Sequence, residues 1–429
     1  MQNIDGINNL LLSIGRCKRS LVAKGIFVAQ EEYRLVLTEW SSAMCELTEQ
    51  IYGVLPKYTE QFCAILDEAI GQKASLENVY AVYEEWESIC TADLNMLSQM
   101  EVELDCEFER MLLALTRCTE ERLVERLIRR YRSHEAEDAE IAEIMRNCYA
   151  RWSHLWGTFD PADDNWEHFR LGVADAKAHT AEYLSAYVSL EDYRSKKVLY
   201  GILKFRLELD FAYKESLREN SFSQYFDLDI CVGDKKDAVY VDCGAYNGES
   251  ALDFLKNYSA YKRMYLYEMV PSCIKEAQDN LCAYENIVYW NAGVGSKEQA
   301  GNMIKMQDFV GTSASIQEGN VVYNPVARTD VAETDMVEVP LVALDQDIKE
   351  PISFLKMDIE GSELDAIAGA EEHICADKSI LAICTYHHYE HLWEVMQEIK
   401  RLRPDYKFYM RFYGNEGSVA ESEHVLYAV

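Results

Sequence analysis

Val239-Tyr240-Val241-Asp242-Cys243-Gly244-Ala245-Tyr246-Asn247-Gly248, running on through Glu249 to Leu255, reads as a strand, a glycine turn and a helix. Gly244 and Gly248 let the backbone approach a ligand closely and begin a helix over it. Taken alone, such a turn can be no more than a tight connection between two elements. Two acidic residues sharpen the reading. Glu268 closes the next apolar run, Leu266-Tyr267-Glu268, 20 positions after Gly248 (268 − 248). An acid about that far on grips a ribose diol through two hydrogen bonds. Asp242 stands inside the turn, where a dinucleotide fold brings a pyrophosphate, and a carboxylate there opposes phosphate. It suits S-adenosylmethionine, which carries a sulfonium and an ammonium group instead. A dinucleotide fingerprint also wants a glycine where this chain has Tyr246, so nicotinamide binding is the poorer reading.

From about Asp237 onward, short apolar runs alternate with amphipathic stretches. The runs are Ala238-Val241, Met264-Tyr267, Ile287-Trp290, Ile352-Met357, Ile380-Thr385, Lys407-Arg411 and His424-Val429. Strands alternating with helices predict βαβ units and a doubly wound, mostly parallel sheet. The last two runs have no helical stretch between them, which predicts an antiparallel hairpin at an edge. The stretches after Gly295 and from Val310 to Thr334 read as loops over the carboxyl ends of the strands, where open α/β sheets bind ligands.

Before about Glu219 the pattern is helical, with apolar residues every three or four positions, as in Leu104-Phe108-Met111-Leu112-Leu115 and Leu123-Leu127-Tyr131. The clearest break is Gly157 to Asn165, with a helix start just after it. The expected organisation is an all-helical domain over 1–157, a helical lead-in over 158–230 and an α/β domain over 231–429. Trp152, Trp156 and Trp166 read as core anchors, because helical tryptophans bury much area. The segments around Trp40 and Trp86 look alike only faintly and make no repeat.

At 429 residues the chain is too long for one ordinary core. Hydrophobic residues make up 49% and charged residues 27%, with 7 prolines, so the composition is globular. A net charge of -32, from 74 acidic and 42 basic residues, repels nucleic acid and anionic lipid. Arg122 to Arg132, the one basic stretch, reads as a solvated helix face. No apolar run reaches the roughly 20 residues of a membrane span, and Met1 to Ile14 lacks the pattern of a secretory signal. The 13 cysteines are odd in number, scattered and without a Cys-x-x-Cys pair, which argues for reduced thiols in a cytoplasm.

With these residues assembled, the chain from about Gln224 to Val429 resembles the FkbM-type methyltransferases, a class I, Rossmann-like branch of the S-adenosylmethionine-dependent enzymes. The resemblance runs in order through Gln224-Tyr225-Phe226-Asp227, Tyr240 to Ala245, Tyr267-Glu268, Asn291 to Gly295, Phe354 to Leu364, Tyr386-His387 and Met410 to Tyr413. Lys356-x-Asp358-x-Glu360-Gly361 is its most specific segment. About Trp166 to Leu228 looks like the helical lead-in of such enzymes. The resemblance implies a class I methyltransferase sheet, with Asp242, Gly244, Ala245, Tyr246, Gly248 and Glu268 lining the cofactor site and Asn291 and Ala292 near the adenine. It implies a small-molecule acceptor with a hydroxyl group, on a sugar or other metabolite. His388 and His391 depart from the family pattern, which places a basic residue and an acid there.

Methyl transfer to an alcohol requires in-line positioning and gains from a general base. Asp358 and Glu360 follow one strand and His387 another, all at the same sheet edge. His387 is the expected base, with the two acids orienting acceptor or cofactor; Glu363 can equally be a complement to the dipole of the next helix. His387, His388 and His391 with Glu390 have the residue types of a metal cluster, but Tyr386-His387 reads as a strand end, so no metal is expected. Two other readings stay open: a cofactor-binding scaffold without turnover, and a nicotinamide-dependent oxidoreductase. The helical part offers a contact for a homodimer or for a biosynthetic partner.

Overall fold

Seven strands carry the second half of the chain: Ala238–Cys243 (β1), Tyr261–Glu268 (β2), Ile287–Asn291 (β3), Phe354–Met357 (β4), Ile380–Cys384 (β5), Phe408–Phe412 (β6) and His424–Ala428 (β7). They form one sheet in the order β6-β7-β5-β4-β1-β2-β3. β1 to β5 pair in parallel, and β7 runs antiparallel between β5 and β6. β1, β4 and β5 are buried along their whole length, which is why they read as continuous apolar runs and not as alternating ones. The computed structural model describes residues 100–227, 229–231, 237–258, 260–307, 314–317, 320–323 and 336–429. Expectations for residues 1–99, and for most of Val310 to Thr334, lie outside the described residues.

The chain winds from β1 outward through β2 and β3, then returns to lay β4 against the other side of β1. The strand order therefore reverses between β1 and β4, and such a reversal opens a crevice at the carboxyl ends of the strands. Register decides what meets there. Asp242 is opposite Lys356 and Cys243 opposite Met357, so Gly244 and Asp358 leave the sheet side by side. Glu268 is opposite Asn291, and Met357 opposite Ile383. The sites expected on separate strands thus end on one line.

By contacts the chain falls into two compact units, Met1–Arg110 with Glu191–Tyr193, and Met111–Leu190 with Arg194–Val429. The break expected at 157 lies inside the second unit. There Phe159–Asp160 and Asn165–Trp166 pair as a two-residue hairpin around the turn Pro161–Asp163. Among the helices are Glu120–Glu137 (α1), Ala139–Arg151 (α2), Glu167–Ala178 (α3), Thr180–Ser189 (α4), Tyr193–Glu208 (α5), Glu249–Asn257 (α6), Pro271–Asn280 (α7), Glu363–Gly369 (α8), Glu371–Asp377 (α9) and His391–Leu402 (α10). Asp138 closes α1 and opens α2, its carboxylate accepting from Glu140 N at 3.0 Å and Ile141 N at 3.2 Å. α1 buries Leu123, Val124, Leu127 and Tyr131, while its arginines face solvent, as expected of a solvated basic face.

Trp166 is buried and stacks on Phe169. Trp156 is buried too, and its Nε1 donates to the carbonyls of Tyr386 and His387, each at 3.1 Å. This core anchor therefore also holds the backbone at the end of β5. Asp227 and Arg411, from the first and last stretches of the family resemblance, form a buried ion pair at 2.8 Å. Parts of the stretches read as loop are sheet: Ala314–Gln317 pairs with Asn320–Tyr323, and Met303–Gln307 pairs antiparallel with Met336–Val342, a strand beyond Thr334 that also pairs in parallel with Gly293–Val294. Met336–Val342 buries Val339 and Leu341, alternate residues, but Pro340 between them hides the strand from a propensity reading. No helix among the described residues is long and apolar enough to cross a membrane.

Candidate functional site

The turn after β1 is held tightly. Gly244 and Ala245 both donate their N–H to the Tyr267 carbonyl, at 2.9 and 3.0 Å, and Gly248 donates to Ala245 O at 2.8 Å. Gly244 and Gly248 sit at φ +83° and +87°, and Tyr246 at +45°. At Gly244 only glycine fits for a second reason: a Cβ there would stand 1.9 Å from the Asp358 carbonyl oxygen. Tyr246 donates its N–H to Glu268 Oε2 at 2.9 Å. Four N–H groups of this turn are thereby committed within the protein, whereas a pyrophosphate turn presents such groups to its ligand.

Asp242 has a different role from the one the charge argument gave it. Its carboxylate is fully buried and pairs with the Lys356 ammonium at 3.0 Å. Tyr240 and Ser250 hydroxyls donate to the other oxygen, at 3.1 and 2.5 Å. Lys356 also donates to Gly244 O at 2.7 Å. Burial opposes the Lys356 charge, yet the Asp242 carboxylate holds its pKa above the usual lysine range. Asp242 is therefore neutralised from the neighbouring strand. The case against a pyrophosphate passes from its charge to the committed N–H groups.

Glu268, at the end of β2, accepts Tyr246 N–H on Oε2 and Val270 N–H on Oε1, at 2.9 and 2.8 Å. Burial raises its pKa despite these bonds. Two carboxylate oxygens have about four acceptor positions, so each keeps one for an incoming hydroxyl. Asn291 Nδ2 donates to the carbonyls of Glu268 and Met269, at 2.9 and 2.8 Å, and Ala292 N–H donates to Glu268 O at 3.2 Å. These two residues fix the strand end that presents Glu268. The polar groups of these two residues, expected near the adenine, are spent on the backbone.

Past β4 and β5 lies a cluster of carboxylates around His387, which is wholly buried. Its Nδ1 is 2.8 Å from Glu363 Oε1, and its Nε2 is 3.4 Å from Glu360 Oε2 and 3.5 Å from Asp358 Oδ1. His391 Nδ1 approaches Glu363 Oε2 at 3.3 Å. Tyr225 and Tyr386 hydroxyls donate to the two oxygens of Asp358, at 2.7 and 3.1 Å. Burial works against a charged His387, but Glu363 and Glu360 override it and hold its pKa well above the usual histidine range. Burial works against a charged Glu363 as well; His387 keeps its carboxyl well below the usual range. Glu423 is a further carboxyl at this edge, pushed up to about 7 by burial and by Asp358.

Both ring nitrogens of His387, the expected base, thus face carboxylates, which favour its charged form. Asp358 and Glu360, about one quarter exposed at 24% and 25%, are the members of the trio that reach solvent. Glu363, equally readable as a dipole complement, is instead the buried carboxylate that orients both histidines. His388 does not join them. Its ring packs where a Cβ on Gly361 would be, at 2.6 Å, and burial lowers its pKa to about 4. α10 begins only at His391, so His387 and His391 converge through the turn before it and not along a helix face. Lys356 and Tyr225 are the site residues to which the sequence assigned no role, while Trp156, read as a core anchor, also supports the site. The one signal for Lys356 and Tyr225 was position, within the motif segments.

Residues 242–412 match the methyltransferase FkbM domain, so the resemblance carried by the motifs holds over this stretch. No curated protein matches the chain. Among solved structures it is similar to methyltransferase FkbM from Methylobacillus flagellatus, with 23% identity, covering 60% of this chain and 62% of that one, at a TM-score of 0.48. The chain thus spans less than two thirds of that protein's length. It is also similar to Aeropyrum pernix fibrillarin, solved with bound S-adenosyl-L-methionine (11% identity, 45% of this chain, 66% of that one, TM-score 0.27). A third is precorrin-6y C5,15-methyltransferase from Geobacter metallireducens (13%, 45%, 79%, 0.24).

Proposed function

We propose that the protein, through the FkbM methyltransferase domain at 242–412, moves a methyl group from S-adenosylmethionine to a hydroxyl of a sugar or other small metabolite. The observation that carries the reading is Glu268, held by two backbone N–H groups against a glycine turn whose own N–H groups are taken. That arrangement offers acceptors to a ribose diol and little to a pyrophosphate.

The donor supplies a methyl on a sulfonium, which needs no electrophilic activation, so positioning does most of the work. Gly244, pressed on Asp358, brings the donor turn against the acceptor edge. Tyr225 and Tyr386 fix the Asp358 carboxylate, and Glu363 fixes His387. Asp358 or Glu360 receives the acceptor's proton, while the His387 imidazolium beside them keeps that region from accumulating unbalanced negative charge.

Calorimetric titration with S-adenosylmethionine, its homocysteine product and NAD tests the donor. Tight NAD binding with no response to the other two would sink the proposal. Incubation with methyl-labelled donor and an extract of the source organism tests transfer, and binding without any transfer would favour a scaffold. Glu268→Ala should weaken donor binding about 10-fold, on the order of 1.4 kcal/mol, through lost charge-assisted hydrogen bonds. Unchanged affinity would mean the ribose is held elsewhere. Asp358→Asn should lower turnover on the order of 100-fold with donor affinity intact. A near-normal rate would move the proton to Glu360.

A further inference from the structure

We infer that Asp358, Glu360 and His387 form a binding site for a divalent first-row metal ion, with Glu363 as the carboxylate that orients the histidine. The first ground is geometry. His387 Nε2 stands 3.5 Å from Asp358 Oδ1 and 3.4 Å from Glu360 Oε2. Metal–ligand bonds of about 2.1 Å put neighbouring ligand atoms about 3.0–3.4 Å apart, so Nε2 already stands near that spacing from each of the two carboxylate oxygens. One ligand atom each from Asp358, Glu363 and His387 also lies within a 4.8 Å span.

The second ground is independent of the acids. His387 is sealed from solvent, yet neither of its ring nitrogens, nor Glu360 Oε2, has a hydrogen bond of regular geometry among the described residues. A buried polar atom without a partner is costly, and Nε2 faces two carboxylates. The third ground is the support around the ligands. A metal-bound imidazole characteristically gives its other N–H to a carboxylate, and ligating carboxylates are themselves hydrogen-bonded. Glu363, fully buried, is 2.8 Å from Nδ1 and is held by Ile359 N–H at 3.0 Å. Tyr225 and Tyr386 hold Asp358. An alternative occupant of Nε2 is a proton, and that form is the imidazolium described above.

One nitrogen and two carboxylate oxygens suit Mn²⁺ or Zn²⁺ better than Ca²⁺ or Mg²⁺, which prefer oxygen alone. The exposed quarter of Asp358 and Glu360 is the way in. Bound there, such an ion would lower the pKa of a hydroxyl that it touches. The inference concerns cation binding and does not depend on methyl transfer.

Full-length protein stripped with chelator and titrated with MnCl₂, without any methyl donor, provides the test by electron paramagnetic resonance. The expected result is one saturable Mn²⁺ per chain, with spin-echo modulation from a single histidine nitrogen. Asp358→Asn, nearly isosteric and partly exposed, should weaken binding at least 10-fold. His387→Gln should abolish the nitrogen modulation, and Glu363→Gln should weaken binding about 10-fold through the lost orientation of the ring. No saturable Mn²⁺, or an affinity that Asp358→Asn leaves unchanged, would overturn the site. Because Asp358→Asn keeps size and shape, it decides the matter even if a buried histidine or glutamate variant does not fold.

Discussion

Lys356→Met should lower the stability of the protein by about 3–5 kcal/mol, the usual cost of removing one partner of a buried ion pair. Lys356 and Asp242 face each other across β1 and β4, 3.0 Å apart, with side chains only 3% and 0% exposed. The methionine has similar length and fills the same space, so packing changes little. What changes is that the buried Asp242 carboxyl is left with only the hydroxyls of Tyr240 and Ser250 to meet it. Gly244 O loses its donor at the same time. Urea unfolding should show a lower midpoint at an unchanged slope, since the same surface is exposed. The double variant Asp242→Asn/Lys356→Met should recover most of the loss, because it removes the unpaired carboxyl. A double variant as unstable as the single one would show that packing, not charge, sets the cost.

That pair also marks how far the sequence can be read. The strands were legible because each central one is buried on both faces and so appears as a short apolar run, as Ala238–Cys243 and Ile380–Cys384 do. The glycine turn, Glu268 and the carboxyl-edge position of Asp358, Glu360 and His387 were legible too, because each follows a recognisable strand. What was hidden is register. The parallel neighbour of β1 is β4, reached only after two other strands, and no local signal says that Lys356 will lie opposite Asp242. Without it, Asp242 reads as a free negative charge.

The histidine cluster was hidden for a related reason. His387 was correctly placed at a strand end, but its chemistry is set by three carboxylates that arrive from the loop after β4 and the start of α8. A histidine alone at a strand end is a candidate base; the same histidine enclosed by acids has its charged form favoured by its neighbours. The net charge of -32 was read as surface, and most of it is. Asp242 and Glu363 belong to the interior instead, each matched by a cation or an imidazole. The loop reading after Gly295 differs from the structure at Met303–Gln307, whose antiparallel partner Met336–Val342 is hidden by Pro340 although its apolar residues do alternate.

Gly244→Ala should be as damaging as Lys356→Met and should remove catalysis even where folding survives. Two separate costs meet at this residue. An alanine at φ +83° is strained by about 1–2 kcal/mol, because its Cβ crowds the following carbonyl. The added Cβ would also stand 1.9 Å from Asp358 O, a backbone atom that cannot rotate aside. Relief requires the turn after β1 and the end of β4 to part, for a total loss on the order of 4 kcal/mol. Their separation moves Asp358 away from the donor turn, and a displacement of about 1 Å is enough to cost on the order of 100-fold in rate. Gly301→Ala separates the two costs. Gly301 has nearly the same φ, +87°, but nothing within 4 Å of the would-be Cβ. It should lose only the conformational part, about 1–2 kcal/mol, and keep its donor affinity and turnover. Equal losses in the two variants, measured by urea unfolding, would mean that φ alone sets the cost. The close contact between the turn and Asp358, on which the alignment of donor and acceptor rests, would then be wrong.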